Sequence, residues 1–186
     1  MILMSNKPKN SPTVKLVLSA LMASLCCVMT MLIRIPVPAT GGFVNLGDTA
    51  VILSGWFLGP LWGALSAGLG SALADVLSGY PQYAVATFII KASMALLFCL
   101  ILKAFDKLSK KSALAKYIAV IISAISVEVL MVGGYFFFEA VILGFGMGAA
   151  AAVLPNAFQG LCGLLGGAFL IALFSKSNLR EKLFKQ

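Results

Sequence analysis

Four long uncharged or nearly uncharged apolar segments constrain the fold of this chain more than any other feature. They cover residues 16–33, 84–102, 117–138 and 149–174. A helix of about 18 or more apolar residues can cross the hydrocarbon core of a bilayer. Only 11% of the 186 residues are charged, whereas a soluble domain carries about a quarter. We therefore expect an integral membrane protein.

The basic residues cluster at the ends of the apolar segments. Twelve of the 14 do so: Lys7, Lys9, Lys15, Lys103, Lys107, Lys110, Lys111, Lys116, Lys176, Arg180, Lys182 and Lys185. An excess of Lys and Arg marks cytoplasmic loops. The pattern predicts that both termini and the loop 103–116 face the cytoplasm. The same pattern accounts for the net charge of +8, so the charge does not indicate a nucleic-acid partner.

A fifth uncharged stretch, residues 49–74, is divided by Gly59-Pro60. The part before the break, residues 48–59, has 12 residues and would be about 18 Å long as a helix, which is short for a core of about 30 Å. It is either a short buried helix or half of a re-entrant hairpin. Both versions place residue 78 outside.

The preferred interpretation is an all-α membrane protein, a single domain over residues 1–186. It is a compact bundle of six transmembrane helices with cytoplasmic termini; four helices plus a hairpin is the alternative. The predicted helices cover residues 14–34, 47–59, 60–77, 84–104, 114–139 and 149–175. External loops are expected at residues 36–47, 78–83 and 144–148.

Small residues recur at four-residue spacing in two helices. One ladder is Gly55, Gly59, Gly63, Ala67 and Ser71, and such spacing lets two helix backbones approach closely in lipid. The first helix carries two small-xxx-small pairs, Ser19 with Ala23 and Ala20 with Ser24. These pairs either pack against the chain's own helices or dock on a separate membrane subunit.

Four polar side chains are expected at similar depth in the outer half of the membrane: Lys91, Glu128, Asn156 and Gln159. Polar groups inside apolar helices usually face a cavity or a partner. Their convergence would form a polar pocket for a small ring compound. Aromatic walls for it are available from Phe43, Trp56, Tyr80, Tyr83 and Tyr135.

Each of these residues also has a purely structural interpretation. Lys91 and Glu128 can brace the bundle as an ion pair. Asp48 can cap the helix it precedes, and Asp75 can cap a helix or reach the outer surface.

The remaining polar residues have structural alternatives too. Asn156 and Gln159 can hold helices together by hydrogen bonds. Tyr80 and Tyr83 can belong to an interfacial aromatic belt.

The motifs of catalysis and metal binding are absent from the sequence. It has no histidine and no CxxC pair among its four cysteines. It also lacks a phosphate-binding GxxxxGK[ST] loop, a GxSxG elbow and an HExxH motif. We expect neither a catalytic residue, a metal site nor a cofactor in this chain, and hence no enzyme.

Five short motifs resemble the substrate-binding S components of energy-coupling factor (ECF) transporters. They are FVNLGD at residues 43–48, FLGPLWGA at 57–64, GSALAD at 70–75, GYP at 79–81 and IK at 90–91. The closest resemblance is to the riboflavin-type subgroup, which includes carriers of hydroxymethylpyrimidine and pyridoxine.

The resemblance implies six helices and a vitamin site near the outer face, under the loop between the first two helices. It adds Asn45 and Asp48 to the candidate substrate-binding residues. The acids Glu128 and Glu139 would suit a neutral or weakly basic pyrimidine or pyridine; riboflavin or another vitamin is the alternative. A stand-alone channel and a small membrane enzyme are rival interpretations of other classes.

The resemblance also implies partners in the plasma membrane. These are a transmembrane coupling subunit and two ATPase subunits, which hydrolyse the ATP that drives import. Family members dock through small residues of the first helix, usually Ala-xxx-Ala. Here the candidates are Ser19, Ala20, Ala23 and Ser24, which leaves two possible registers.

Overall fold

The computed structural model describes residues 12–106 and 112–177, and within these ranges the chain forms six α-helices. They are α1 (Pro12–Leu32), α2 (Gly47–Leu58), α3 (Pro60–Leu77), α4 (Ala84–Ala104), α5 (Ala113–Phe137) and α6 (Val153–Ser177). Of the basic residues predicted to be cytoplasmic, eight lie outside the described residues: Lys7, Lys9, Lys107, Lys110, Lys111, Arg180, Lys182 and Lys185.

Five helical segments in the described part of the chain are long and apolar enough to cross a membrane. They are Pro12–Leu32, Pro60–Leu77, Ala84–Ala104, Leu114–Ile142 and Gly146–Ser177. Helix α2 has only 12 residues. The helical membrane architecture is confirmed, while a sixth crossing by α2 stays a prediction.

Helix α2 lies at the centre of the bundle. Every residue from Gly47 to Phe57 is buried, and α2 packs against α1, α3, α4 and α6. The small residues of the ladder allow this. A Cβ atom on Gly55 would lie 2.6 Å from the carbonyl oxygen of Ala95 on α4, and one on Gly63 would lie 2.7 Å from that of Ser54. Any larger side chain would therefore push the neighbouring backbones apart.

The segment between α1 and α2, predicted as a loop, contains a two-stranded antiparallel hairpin. Strand β1 (Arg34–Val37) pairs with β2 (Gly42–Asn45), with Arg34 opposite Asn45 and Val37 opposite Gly42. Pro36 favours extended backbone at the residue before it, and Gly41 turns the chain at φ +67°. This hairpin defines one end of the bundle, which we call the hairpin end.

The connection between α5 and α6 is more regular than the predicted turn. A π-helical turn (Phe138–Ile142) extends α5, and a 3-10 helix (Gly146–Ala152) precedes α6. Single π-helical turns are rare and often occur at functional sites. Here the turn carries Glu139, which is 3% exposed.

The two small-residue pairs of α1 face in different directions. Ser19 is buried, and its carbonyl oxygen accepts a 2.9 Å hydrogen bond from Ser66 of α3. The carbonyl of Ala23 lies where a side chain on Gly70 of α3 would have to go. Ser19 and Ala23 therefore pack inside the chain, and the prediction that they dock a partner is wrong for Ser19, whose side chain is buried.

The other pair is accessible. Ala20 and Ser24 are both exposed on the outer face of α1, where the Ser24 hydroxyl donates a 2.9 Å hydrogen bond to the Ala20 carbonyl. The Ser24 hydroxyl is therefore satisfied within its own helix and offers no unpaired donor to a neighbouring helix.

Candidate functional site

A cavity opens at the hairpin end between the hairpin and helices α1, α3, α4, α5 and α6. It encloses about 460 Å³ of space free of protein atoms, including its open mouth. Its lining residues are Thr30, Val37, Thr40, Gly42, Phe43, Asn45, Ser71, Asp75, Tyr83, Thr87, Lys91, Tyr135, Glu139, Ala152, Asn156 and Gln159. Most of these are polar, although the surrounding bundle is apolar.

Helical spacing explains why these side chains meet. On α3, Ser71 and Asp75 are four residues apart, as are Thr87 and Lys91 on α4; on α6, Asn156 precedes Gln159 by three residues. Residues three or four apart share one face of a helix, so each helix presents a short polar patch to the same space.

A hydrogen-bonded network forms the floor of the cavity. Lys91 forms an ion pair with Asp48 at Oδ1, and the other carboxylate oxygen of Asp48 accepts a 2.6 Å hydrogen bond from Nε2 of Gln159. The backbone N–H of Asn45 donates to Oε1 of Gln159 at 2.7 Å. The network thus joins α2, α4 and α6 to the last residue of the hairpin.

The structure corrects two interpretations of the acidic residues. Lys91 pairs with Asp48, so the predicted Lys91–Glu128 ion pair is wrong. Asp48 does not cap α2, because the N-cap position is Leu46 and no side-chain cap bond forms there. Asp48 lies inside the first turn, where a negative charge is favoured by the helix dipole.

Glu128 lies behind the network and does not line the cavity. It is 6% exposed, and neither carboxylate oxygen has a hydrogen-bond partner among the described residues. A Cβ atom on Gly163 of α6 would lie 2.5 Å from Glu128 Oε1 and 2.6 Å from Asp48 Cβ. Glycine at position 163 therefore lets both acids sit close to α6.

Tyr83 connects the hairpin to the π-helical turn. Its hydroxyl lies 2.9 Å from the Thr40 carbonyl and 3.1 Å from Glu139 Oε1, and it can donate to either acceptor. Burial raises the pKa of Tyr83, which keeps the hydroxyl protonated as a donor. Tyr83 is 5% exposed, so its assignment to an interfacial belt is wrong.

Aromatic rings border the cavity on two sides. Tyr135 shares a 3.0 Å hydrogen bond with Thr87, and its ring centroid lies 5.4 Å from Lys91 Nζ, within the range of a cation–π contact. Phe43 lines the cavity and packs on Tyr80 with ring centroids 4.7 Å apart. Trp56 packs in the apolar core instead, so it forms no wall.

Seven of the ten predicted site residues line the cavity: Phe43, Asn45, Tyr83, Lys91, Tyr135, Asn156 and Gln159. Asp48 and Tyr80 stand directly behind it, and Glu128 lies deeper. Whether any of them binds a ligand stays a prediction.

Sequence reasoning did not place Asp75 in the site. Asp75 was expected at a helix cap or the outer surface, but it is 4% exposed and lines the cavity. Asp75 is four residues from Ser71 and shares a helix face with Ser71 and Gly68, and this spacing could have indicated that it faces the interior. Thr30 and Thr87 are further lining residues absent from the predicted site, whereas Glu139, which the resemblance suggested as a pocket acid, also lines the cavity.

Comparison with known proteins decides the family. A family model described as "ECF-type riboflavin transporter, S component" matches residues 10–176. The chain belongs to this family of S components. An S component is the substrate-binding membrane subunit of a vitamin transporter and works with an ECF module.

Two further comparisons concern the fold and one sequence relative. The fold of this S component matches a solved structure described as the S component of a bacterial ECF transporter, with a TM-score of 0.63 and 18% identity over 91% of this chain and 97% of that one. A Pyrococcus woesei protein, described as an uncharacterized protein in the gap 3′ region, is 35% identical over 80% of this chain and 93% of its own length.

Proposed function

We propose that this S component captures a vitamin or vitamin precursor with a pyrimidine or pyridine ring and delivers it to an ATP-driven importer in the plasma membrane. The observation that carries the proposal is the polar cavity under the hairpin, inside an otherwise apolar bundle. A largely enclosed site with a few placed polar groups is typical of small-molecule binding.

The chemistry of the walls supports a single small ring. Phe43, Tyr83 and Tyr135 offer aromatic surfaces, while Asn156 and Asn45 offer amide groups at the edge. Riboflavin is the second candidate, because the matching family model carries its name.

The proposed orientation places the hairpin end outside the cell. Lys103 and Lys176 lie at the opposite ends of α4 and α6, in keeping with cytoplasmic enrichment of basic residues. In this orientation the hairpin covers the cavity from the external side and controls entry.

Release on the cytoplasmic side would require partner subunits. We propose a transmembrane coupling subunit and two ATPases, with the S component rotating in the membrane as ATP is hydrolysed by the ATPases. This chain itself would carry no cofactor and no catalytic group. Ala20 and Ser24 on the exposed face of α1 are the proposed contacts with the coupling subunit, since small residues allow close helix packing.

The decisive experiment is mass spectrometry of ligands that co-purify with the detergent-solubilised chain, followed by titration calorimetry with the compound found. A pyrimidine or pyridine vitamin supports the first candidate, and a flavin supports the second. Ion flux through vesicles without ATP would instead indicate a channel, and turnover by the isolated chain an enzyme.

A further inference from the structure

We propose that the ligand carries an amino group or another cationic hydrogen-bond donor, and that Asp75 and Glu139 receive it. The inference rests on the proposed function, because it assigns the ligand chemistry of the same cavity. It identifies two recognition residues that line the same cavity from different elements, α3 and the π-helical turn.

Both acids are buried and incompletely satisfied. Asp75 is 4% exposed and Glu139 is 3% exposed, and both line the cavity. Asp75 Oδ2 and Glu139 Oε2 have no hydrogen-bond partner among the described residues. Leaving a buried acceptor unsatisfied is unfavourable, so a ligand that donates to these two oxygens would be stabilised by satisfying them.

The charges around the cavity favour a cation over an anion. Lys91 is the one basic side chain among the described lining residues, and its ammonium group is already paired with Asp48. Asp75 and Glu139 form no ion pair with a side chain of the described lining. A phosphate or carboxylate ligand would be repelled by these groups, whereas an amine would neutralise them.

Two hydroxyls complete the pattern. Thr30 Oγ1 and Ser71 Oγ are buried, line the cavity and have no partner among the described residues. A hydroxyl can donate or accept, so these groups suit the ring nitrogens and hydroxymethyl substituents of a heteroaromatic compound. The preference for an amino group is thus assigned to Asp75 and Glu139. The affinity for a polar ring in general is assigned to the hydroxyls of Thr30 and Ser71 and to the amide side chains of the lining.

Strand β2 of the hairpin packs over Glu139. A Cβ atom on Gly42 would lie 2.9 Å from the Tyr83 hydroxyl and 3.4 Å from Glu139 Oε1. Glycine at this position lets the strand close over the acid while Tyr83 occupies one of its oxygens. The second oxygen has no hydrogen-bond partner among the described residues, and we assign it to the amino group of the ligand.

The test compares matched ring compounds on the full chain in nanodiscs by titration calorimetry. One pair is pyridoxamine and pyridoxine; the other is 4-amino-5-hydroxymethyl-2-methylpyrimidine and its 4-oxo counterpart. A charge-assisted hydrogen bond corresponds to roughly ten- to hundred-fold in affinity. We expect the amino member of at least one pair to bind tighter by about that factor, and Asp75→Asn and Glu139→Gln each to reduce this preference.

Asp106→Asn is the matched control, because Asp106 lies beyond the opposite end of α4; it should leave the preference unchanged. Should the two cavity variants fail to fold, the amino preference of the unmodified chain decides alone. Equal or weaker binding of the amino members overturns this inference and leaves the proposed function standing. Failure of every ring compound, riboflavin included, to bind overturns the proposed function itself.

Discussion

Lys91 of α4 and Asp48 of α2 form a buried ion pair, with side chains 2% and 0% exposed. Removing one member of a buried pair leaves an uncompensated charge and costs about 3–5 kcal/mol, whereas replacing both by neutral groups is often tolerated. We expect Asp48→Asn and Lys91→Met to lower the free energy of unfolding strongly. The double variant should lose much less than the sum of the two.

Thermal unfolding of the four proteins in one detergent completes a double-mutant cycle, which isolates the pair interaction. Strictly additive losses would mean that the two side chains act independently and that the network is not held by their charges.

Gly163 is predicted to be required for packing between α6 and the acids. Gly163→Ala places a Cβ atom 2.5 Å from Glu128 Oε1 and 2.6 Å from Asp48 Cβ, and overpacking of this kind costs about 1–3 kcal/mol. Gly133→Ala on α5 is the control, because a Cβ atom there meets nothing within 4 Å.

Alanine favours a helix over glycine by about 1 kcal/mol, so Gly133→Ala should hold or raise the melting temperature while Gly163→Ala lowers it. Equal melting temperatures for the two variants would contradict the close approach of α6 to Asp48.

Asn156 and Gln159 are predicted to differ although they share a helix face. Asn156 lines the cavity and its side chain makes no hydrogen bond to the described residues, so Asn156→Ala should weaken ligand binding without loss of stability. One neutral hydrogen bond is worth about 0.5–1.5 kcal/mol, or roughly two- to ten-fold in affinity.

Gln159 bridges Asp48 and the Asn45 backbone, so Gln159→Ala should lower both affinity and melting temperature. Calorimetry and thermal unfolding on the same preparations separate the two effects. Unchanged affinity in both variants would remove this face of α6 from the binding site.

The outer face of α1 is predicted to contact the coupling subunit. Ala20→Leu adds bulk on an exposed small-residue face and should abolish ATP-dependent uptake while ligand binding by the isolated chain persists. Ala157→Leu, at an exposed alanine of α6, is the matched control and should leave uptake intact.

Ala23→Leu should behave differently, because Ala23 packs against Gly70 of α3; here we expect a lower melting temperature. Normal uptake by the Ala20 variant would exclude this face as the docking surface.

The Gly59-Pro60 break is predicted to face the cytoplasm if α2 completes a crossing. Leu61 is 64% exposed, so Leu61→Cys, in a chain whose native cysteines are replaced, should react with an impermeant thiol reagent only from the inside. Labelling from outside would show that α2 and α3 form a re-entrant hairpin. A cysteine at Tyr80, in the turn before α4, serves as the outside reference.

The sequence by itself predicted the membrane environment and the similar depth of Lys91, Asn156 and Gln159, whereas Glu128, expected at the same level, does not line the cavity. Uninterrupted apolar runs predict spanning helices, and a rise of 1.5 Å per residue converts position along a helix into depth. Lys91, Asn156 and Gln159 were therefore placed at one level before any contact was known. The small-residue ladder likewise predicted close helix packing, which Gly55 and Gly63 show.

Only the tertiary structure decided how each helix is rotated about its axis. In a soluble helix, polar residues mark the outer face; in these helices the exposed surface is apolar and so is much of the core, so composition says little about how a helix is rotated about its axis. For this reason the sequence did not show that Lys91 pairs with Asp48 rather than Glu128, that Ser19 faces inward while Ala20 faces out, or that Asp75 lines the cavity. Residues far apart in sequence, such as Asp48 and Gln159, meet only when the six helices pack together. The spacing of residues along one helix does not specify which helices become neighbours.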